Sequence, residues 1–401
     1  MGGGGNYNSW SSSSSEKDSW AGHNSPHEST KSGVSRRFAS GDDDDDEVWS
    51  EKNYEGIPDM NYCTSSIMEE ASERQRIKFY DEVWSSYQGF PTIHKLDQAK
   101  AKLLSYTPGS WAEIEDGVDL SEYKVPKTTS LLLIGPKGSG KSSLVNKISR
   151  VLDKDLFTLE RAQVTYNSPT EDGTCFLHEY MIPRKSGSFS LYDTRSLSDD
   201  LSENRELFNV WMTMGVCDGE LVTRNSDSTD FKARLKCKSR RRRSTSYKVR
   251  AVDFVVFVVN AVSVLESIDS LDENKKRYSQ LIAENFKNPL LSYKDDKPVV
   301  AVTHGDILSV SDRVRVRIHL GEILGIPPTT QVFDIPECDD LATELTIAEM
   351  LTFCLDRADR NLPTKEPSEW DVRIGGLIVW IVWTVLIMAF LLLKKLSGFL
   401  S

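Results

Sequence analysis

Cysteine is scarce: six in 401 residues, Cys63, Cys175, Cys217, Cys237, Cys338 and Cys354, with no Cys-x-x-Cys pair. In a chain far longer than the small secreted domains that depend on disulfides, such widely spaced cysteines are expected as reduced, mostly buried thiols. The six histidines show no spacing suited to zinc, so no structural metal site is expected. Positive charge is also in deficit. Lys plus Arg total 49 against 60 for Asp plus Glu, a net −11, and the first sixty residues contribute −7 of it from 12 acidic and 5 basic side chains. Non-specific attachment to phosphate backbones needs clustered Lys and Arg, so no nucleic-acid partner is expected. The segment from Met1 to Trp10 lacks both a basic n-region and an apolar h-region, which argues against a secretory signal peptide and for a cytosolic start.

The chain that remains is 39% apolar, enough for a globular core with tails. Residues 1–60, with a glycine run, five serines in a row and Asp42 to Asp46, are too poor in aliphatic side chains to offset their chain entropy and read as a disordered tail. Residues 61–125 read as a helical collar, with helical spacing over 66–88 and 96–106. From 126 to 362, apolar runs at Leu131–Ile134, Val252–Val259, Val299–Val302 and Val332–Ile335 alternate with helical patterns. That predicts an α/β fold with a doubly wound, mainly parallel sheet covered on both faces. An insertion is placed at about 195–250, and Thr346 with Glu349 forms a capping-box pattern for the last helix.

Residues 363–373 read as a linker. Ile374 to Leu393 then gives twenty residues without a charge, which at 1.5 Å per residue matches the roughly 30 Å hydrocarbon core of a bilayer. With only residues 394–401 beyond it, this transmembrane helix is expected as a tail anchor in the lipid bilayer of an organelle (endoplasmic reticulum, mitochondrion or plastid), with the rest of the chain in the cytosol.

Three motifs carry the chemistry. Gly135-Pro136-Lys137-Gly138-Ser139-Gly140-Lys141-Ser142, followed by Ser143, fits G-x-x-x-x-G-K-[ST] between a strand and a helix. Glycines let backbone N–H groups close around phosphates, Lys141 reaches the β- and γ-phosphates as an exposed cation, and Ser142 offers a hydroxyl to Mg2+. Next, a strand-like stretch ends in Asp193-Thr194-Arg195-Ser196, where Asp193 is placed to complete the Mg2+ shell, although an Asp capping a turn reads equally well. Last, Thr303-His304-Gly305-Asp306 ends an apolar strand, at the edge where open α/β sheets bind ligands. A carboxylate at Asp306 can accept both N1–H and the exocyclic amine of guanine, which adenine does not offer.

With these motifs in order, residues 128–360 resemble a P-loop GTPase domain of the Ras-like superclass. They are similar to interferon-induced-protein-44-like and plant P-loop NTPase proteins, and the anchor is similar to that of Toc-type GTPases. The resemblance implies GTP/GDP and Mg2+ as cofactors, Lys141 and Arg195 as catalytic groups, Thr303, His304 and Asp306 at the base, and Ser142 and Asp193 at the metal. Arg195 is read as reaching the phosphates in cis or from a second copy in a homodimer. Thr170 and Thr174 are candidates for the threonine that closes on the metal. Two departures stand out: Ser196 replaces the usual glycine and His304 the usual lysine. Leu197 occupies the place of the water-orienting glutamine, so hydrolysis is expected at about 10⁻⁴ s⁻¹ or below. A non-hydrolysing scaffold and an ATPase remain as alternatives. The run Lys238 to Ser244 reads as a solvated loop, a site for acidic headgroups or the acidic tail, or a kinase target.

Overall fold

Successive side chains of a strand point to opposite faces, so the four aliphatics Leu131 to Ile134 require cover on both sides. A computed structural model of the protein, describing residues 60–112, 119–153, 160–164, 173–184, 186–241, 248–365 and 383–384, shows that arrangement. In chain order the elements are α1 (Met60–Gln88), α2 (Ile93–Leu104), β1 (Thr129–Ile134), α3 (Lys141–Leu152), β2 (His178–Ile182), β3 (Phe189–Asp193), α4 (Leu201–Met214), β4 (Val216–Cys217), α5 (Thr229–Arg241) and β5 (Val249–Arg250). There follow β6 (Phe254–Asn260), α6 (Ala261–Asp269), α7 (Glu273–Phe286), β7 (Val299–Thr303), α8 (Val310–Leu324), β8 (Val332–Ile335) and α9 (Leu341–Arg360).

Six strands form one sheet in the order β2-β3-β1-β6-β7-β8. All neighbours are parallel except β2, which runs antiparallel to β3 at the edge. Leu131 and Leu133 face one core with Leu144 and Ile148 of α3, Leu103 of α2 and Leu351 and Leu355 of α9. Leu132 and Ile134 face the other, with Phe208 and Trp211 of α4, Ile282 and Phe286 of α7 and Leu320 of α8. The sheet is thus doubly wound and mainly parallel, as its apolar runs require. The strand that follows β1 in the parallel series, β3, lies on one side of it and β6 on the other, so the order reverses at β1. Crevices at such reversals, beyond the carboxyl ends of the strands, are where open α/β sheets bind ligands.

Three details depart from the sequence reading. Helix α9 does not start at a Thr346 cap. Asp340 is its N-cap, accepting from the Thr343 N–H at 2.7 Å, while Thr346 sits inside the helix and donates to the Ala342 carbonyl. An aspartate followed by Leu341 and Thr343 lets the helix begin about a turn and a half earlier and bury Thr343 one turn ahead of Ile347. Second, α4 lies within the supposed insertion yet supplies Phe208 and Trp211 to the core, so the added part is the β4–β5 ribbon with α5 between its strands. Third, the cysteines are not mostly buried: among the described ones Cys354 is buried, Cys175, Cys217 and Cys338 are half-buried and Cys237 is exposed. The collar does pack on the domain as expected, with Leu103 and Tyr106 core residues and Val83 of α1 on Val314 and Ile318 of α8.

The described residues from Asn61 onward belong to one unit. The expected tail up to residue 59, most of the linker, and the span 374–393 apart from Trp383 and Thr384 lie outside the described residues. Among the described residues no helix is long and apolar enough to cross a membrane.

Candidate functional site

Beyond the carboxyl end of β1 the chain must turn sharply into α3, and the glycines permit it. A Cβ on Gly135 would lie 2.1 Å from the Val258 carbonyl oxygen of neighbouring β6, so no side chain fits there. Gly138 and Gly140 adopt φ of 75° and 78°, the left-handed region that glycine enters without strain. Gly140 is the N-cap of α3 and makes no side-chain cap. The first-turn N–H groups of α3, including those of Ser142 and Ser143, therefore face the loop with the helix dipole behind them, a site for an anion. Pro136 and Ser139 are buried, and Lys137 is exposed.

Lys141 departs from the exposed cation expected. It is 7% exposed, and its ammonium donates to the carbonyls of Gly135 (3.0 Å) and Pro136 (3.1 Å) and to Ser139 Oγ (3.5 Å). Burial pushes its pKa down to about 8, opposed by nearby Asp193 and reinforced by the Arg224 guanidinium. Among the described residues no carboxylate lies at hydrogen-bond range of this ammonium, and a phosphate group would supply a counter-anion.

The metal-side residues meet. Asp193 is carried to the end of β3, where its Oδ2 accepts from the hydroxyls of Ser142 (2.6 Å) and Thr174 (3.2 Å), themselves 3.3 Å apart. Thr170, the other threonine candidate, lies outside the described residues. Asp193 is buried, burial raises its pKa, and its Oδ1 has no hydrogen-bond partner among the described residues. A buried carboxylate beside two hydroxyls is a hard-oxygen donor set, and the orphaned Oδ1 fits a divalent cation such as Mg2+ better than an apolar setting.

The base-side residues close on the loop from β7. Thr303 Oγ1 lies 2.9 Å from the Ser139 carbonyl, 3.0 Å from that of Val259 and 2.8 Å from His304 Nδ1. His304 is left-handed (φ 58°) and sets its ring edge against Gly140, where the resemblance placed a lysine stem. Asp306 is exposed and accepts the Glu337 N–H at 2.9 Å from the loop after β8. Lys147 of α3, buried, donates to the Pro336 and Cys338 carbonyls of that same loop, so the phosphate-loop helix and the Asp306 loop are braced together.

Arg195 is the member that the structure takes elsewhere. Its guanidinium forms a buried two-pronged pair with Asp227 (2.7 and 2.6 Å) and donates to the Val222 carbonyl. A partner 32 residues away in the added segment captures the charge that the sequence reading sent to the phosphates. Nothing in local spacing signals this pairing. The residue found beside Lys141 instead is Arg224, whose guanidinium donates to the Ser196 carbonyl. Sequence reasoning missed it because it belongs to no motif. Leu197 is buried in the core, and its N–H donates to the Gly135 carbonyl (2.9 Å).

No protein-family model matches the chain, and no curated protein does. Among solved structures, the chain is similar to a probable GTP-binding protein engB at 13% identity and TM-score 0.27, covering 58% of this chain and 99% of that one. It is also similar to a structure of the signal recognition particle receptor SRb-GTP/SRX complex from Chaetomium thermophilum, at 13% identity and TM-score 0.20, covering 48% and 79%.

Proposed function

We propose that this chain is a guanine-nucleotide-binding protein that hydrolyses GTP slowly and is tethered by residues 374–393 to the cytosolic face of an organelle membrane. The observation that carries the nucleotide reading is the convergence of three separated segments on one crevice: the Gly135–Ser142 loop, the Ser142–Thr174–Asp193 oxygen cluster and the Thr303–Asp306 segment. A glycine-lined helix N-terminus with a buried lysine suits a polyphosphate. The oxygen cluster suits Mg2+, which supplies charge neutralisation to the phosphates when bound. Asp306 supports guanine over adenine, because a carboxylate accepts from N1–H and the 2-amine. The uncharged run 374–393 supports the anchor.

The buried Leu197 favours slow turnover. A side chain packed in the core offers no polar atom to orient water, and the resemblance puts that task at this position. The same observation favours, as a second reading, a nucleotide-bound scaffold that recruits partners without turnover.

The test is identification of the nucleotide released on denaturing the purified protein, followed by competition of GTP, GDP and ATP for the refilled site. Guanine nucleotides that ATP fails to displace are expected. Equal displacement by ATP would remove the guanine reading and leave a phosphate-binding loop without base selectivity.

A further inference from the structure

We propose that Arg224, from the added segment between β4 and α5, is the catalytic arginine acting in cis on the phosphate undergoing transfer. The inference rests on the nucleotide reading above. Its basis is a short chain of contacts. Arg224 donates from its guanidinium to the Ser196 carbonyl, and the next residue, Leu197, donates its N–H to the Gly135 carbonyl. That same carbonyl receives the Lys141 ammonium at 3.0 Å. Arg224 therefore stands beside the phosphate lysine, on the side of the Asp193–Leu197 segment.

The surroundings hold it there. The Asp227 carboxylate accepts the Arg224 backbone N–H at 2.7 Å while gripping Arg195 with both oxygens. Glu203 of α4 accepts from Ser198 on one side and from the Ser226 N–H and hydroxyl on the other, tying the segment after Asp193 to the loop that carries Arg224. Arg195 is thus a positioning residue: it fixes Asp227, which fixes the backbone at Arg224. Two like-charged groups, Lys141 and Arg224, are held near a loop suited to anions, at a cost of burial for the lysine and of repulsion between the two. An anion between them relieves both costs, and one whose charge is growing relieves them most.

In hydrolysis the water oxygen bonds to the γ-phosphorus as the bond to the β–γ bridging oxygen breaks, and the water proton leaves with the released phosphate. Negative charge gathers on the bridging and equatorial oxygens. The Arg224 guanidinium exchanges the neutral Ser196 carbonyl for those oxygens, an exchange favoured by the two-pronged, charge-assisted geometry.

The experiment uses the full chain in detergent micelles, with single-turnover GTP hydrolysis, fluorescent GDP affinity and formation of the GDP–aluminium fluoride complex measured for wild type, Arg224→Ala and Arg224→Lys. Arg224→Ala is expected to lower hydrolysis at least about tenfold, since an arginine in cis separates rates of about 10⁻² s⁻¹ from those of about 4 × 10⁻⁴ s⁻¹. It is also expected to lose the aluminium fluoride complex while GDP affinity changes less than about threefold. Arg224→Lys should not restore either. Wild-type hydrolysis or wild-type aluminium fluoride binding in Arg224→Ala overturns the proposal, as does loss of GDP affinity in step with activity, which marks a structural role only. A wild type that binds GTP yet neither hydrolyses it nor forms the fluoride complex overturns the proposal and leaves the binding reading standing. A wild type that binds no guanine nucleotide overturns both.

Discussion

Replacing Lys141 by alanine should leave the nucleotide-free fold standing and remove its response to nucleotide. Burial moves the ammonium from 10.5 to about 8, and at 1.36 kcal/mol per pH unit a cation kept charged at neutral pH costs ~3 kcal/mol there. Alanine abolishes that cost. It does not strand the carbonyls that the lysine served, because Gly135 O still receives the Leu197 N–H at 2.9 Å and Pro136 O the Ser139 N–H at 3.3 Å. The burial cost is already net of the ammonium's hydrogen bonds, so against the relief stands the emptied space of the stem, about 2 to 5 kcal/mol for cutting a long buried side chain to alanine. The terms are of similar size and opposite sign, so the variant should lie within about 2 kcal/mol of wild type at pH 7. Between about pH 8 and 10.5 the native state sheds a proton that the unfolded chain keeps, so wild-type stability should rise with pH relative to the variant over that window. Ligand response separates the two more sharply. At a hundredfold excess over its dissociation constant a ligand adds about 2.7 kcal/mol, or roughly 5–10 °C in Tm for a domain of this size. Thermal unfolding of both proteins with and without GDP and Mg2+, from pH 7 to 10.5, reads all of these quantities. An equal GDP-induced shift in the variant would refute the phosphate role of Lys141. A variant unfolded at pH 7 would show instead that the lysine is structural.

Gly135→Ala sets a methyl 2.1 Å from a backbone oxygen of a central strand, so it should destabilise by about 1–3 kcal/mol and abolish nucleotide binding, measured by denaturant unfolding and calorimetry; unchanged values would show that the loop yields. Asp306→Asn keeps an oxygen for the Glu337 N–H but turns one acceptor into a donor, so GTP affinity should fall more than tenfold while xanthosine triphosphate gains; a variant with undiminished preference for GTP would exclude Asp306 from the base. Removing residues 374–401 should move the protein from carbonate-resistant pellets to the soluble fraction, and a truncated chain that stays in the pellet would defeat the anchor reading.

The sheet was legible because its evidence is local. β1, β6 and β7 are mainly aliphatic runs of five to seven residues, and runs of that length buried on both faces admit few other readings. The glycine-rich turn from β1 into α3 was legible for the same reason. What escaped depends on partners far away in the chain. Arg195 and Asp227 are 32 residues apart, and no spacing rule links them. Lys141 has the side chain of an exposed residue, and its burial follows from the way Gly135 and Pro136 turn their carbonyls inward. Helix α4 did leave a trace, since Phe208 and Trp211 stand three apart on one helical face, but the surrounding Ser, Glu, Asn and Arg masked it. The start of α9 set Asp340 against Thr346, both good caps by type, and only the burial of Thr343, one turn ahead of Ile347, decides between them.

Thr303 ties the Gly135–Ser142 loop to the segment that carries Asp306. Its hydroxyl carries a single proton, yet two carbonyls, Ser139 and Val259, lie at 2.9 and 3.0 Å, so that proton is shared between the phosphate loop and the end of β6. Having donated, the oxygen is free to accept, and an N–H on Nδ1 of His304 at 2.8 Å completes the junction. This tautomer leaves Nε2 of the ring as an acceptor. The bond, with the ring edge against Gly140, holds His304 at φ 58°, a conformation that costs a non-glycine residue on the order of 1–3 kcal/mol unless its neighbours enforce it. Gly305 follows with no room for a side chain, since a Cβ would come within 2.6 Å of Asp334, and so Asp306 is presented at a fixed place. On the proposed nucleotide reading, a movement of Ser139 as phosphate enters the loop would be felt at Thr303, then at His304, and by way of Gly305 at the Asp306 carboxylate.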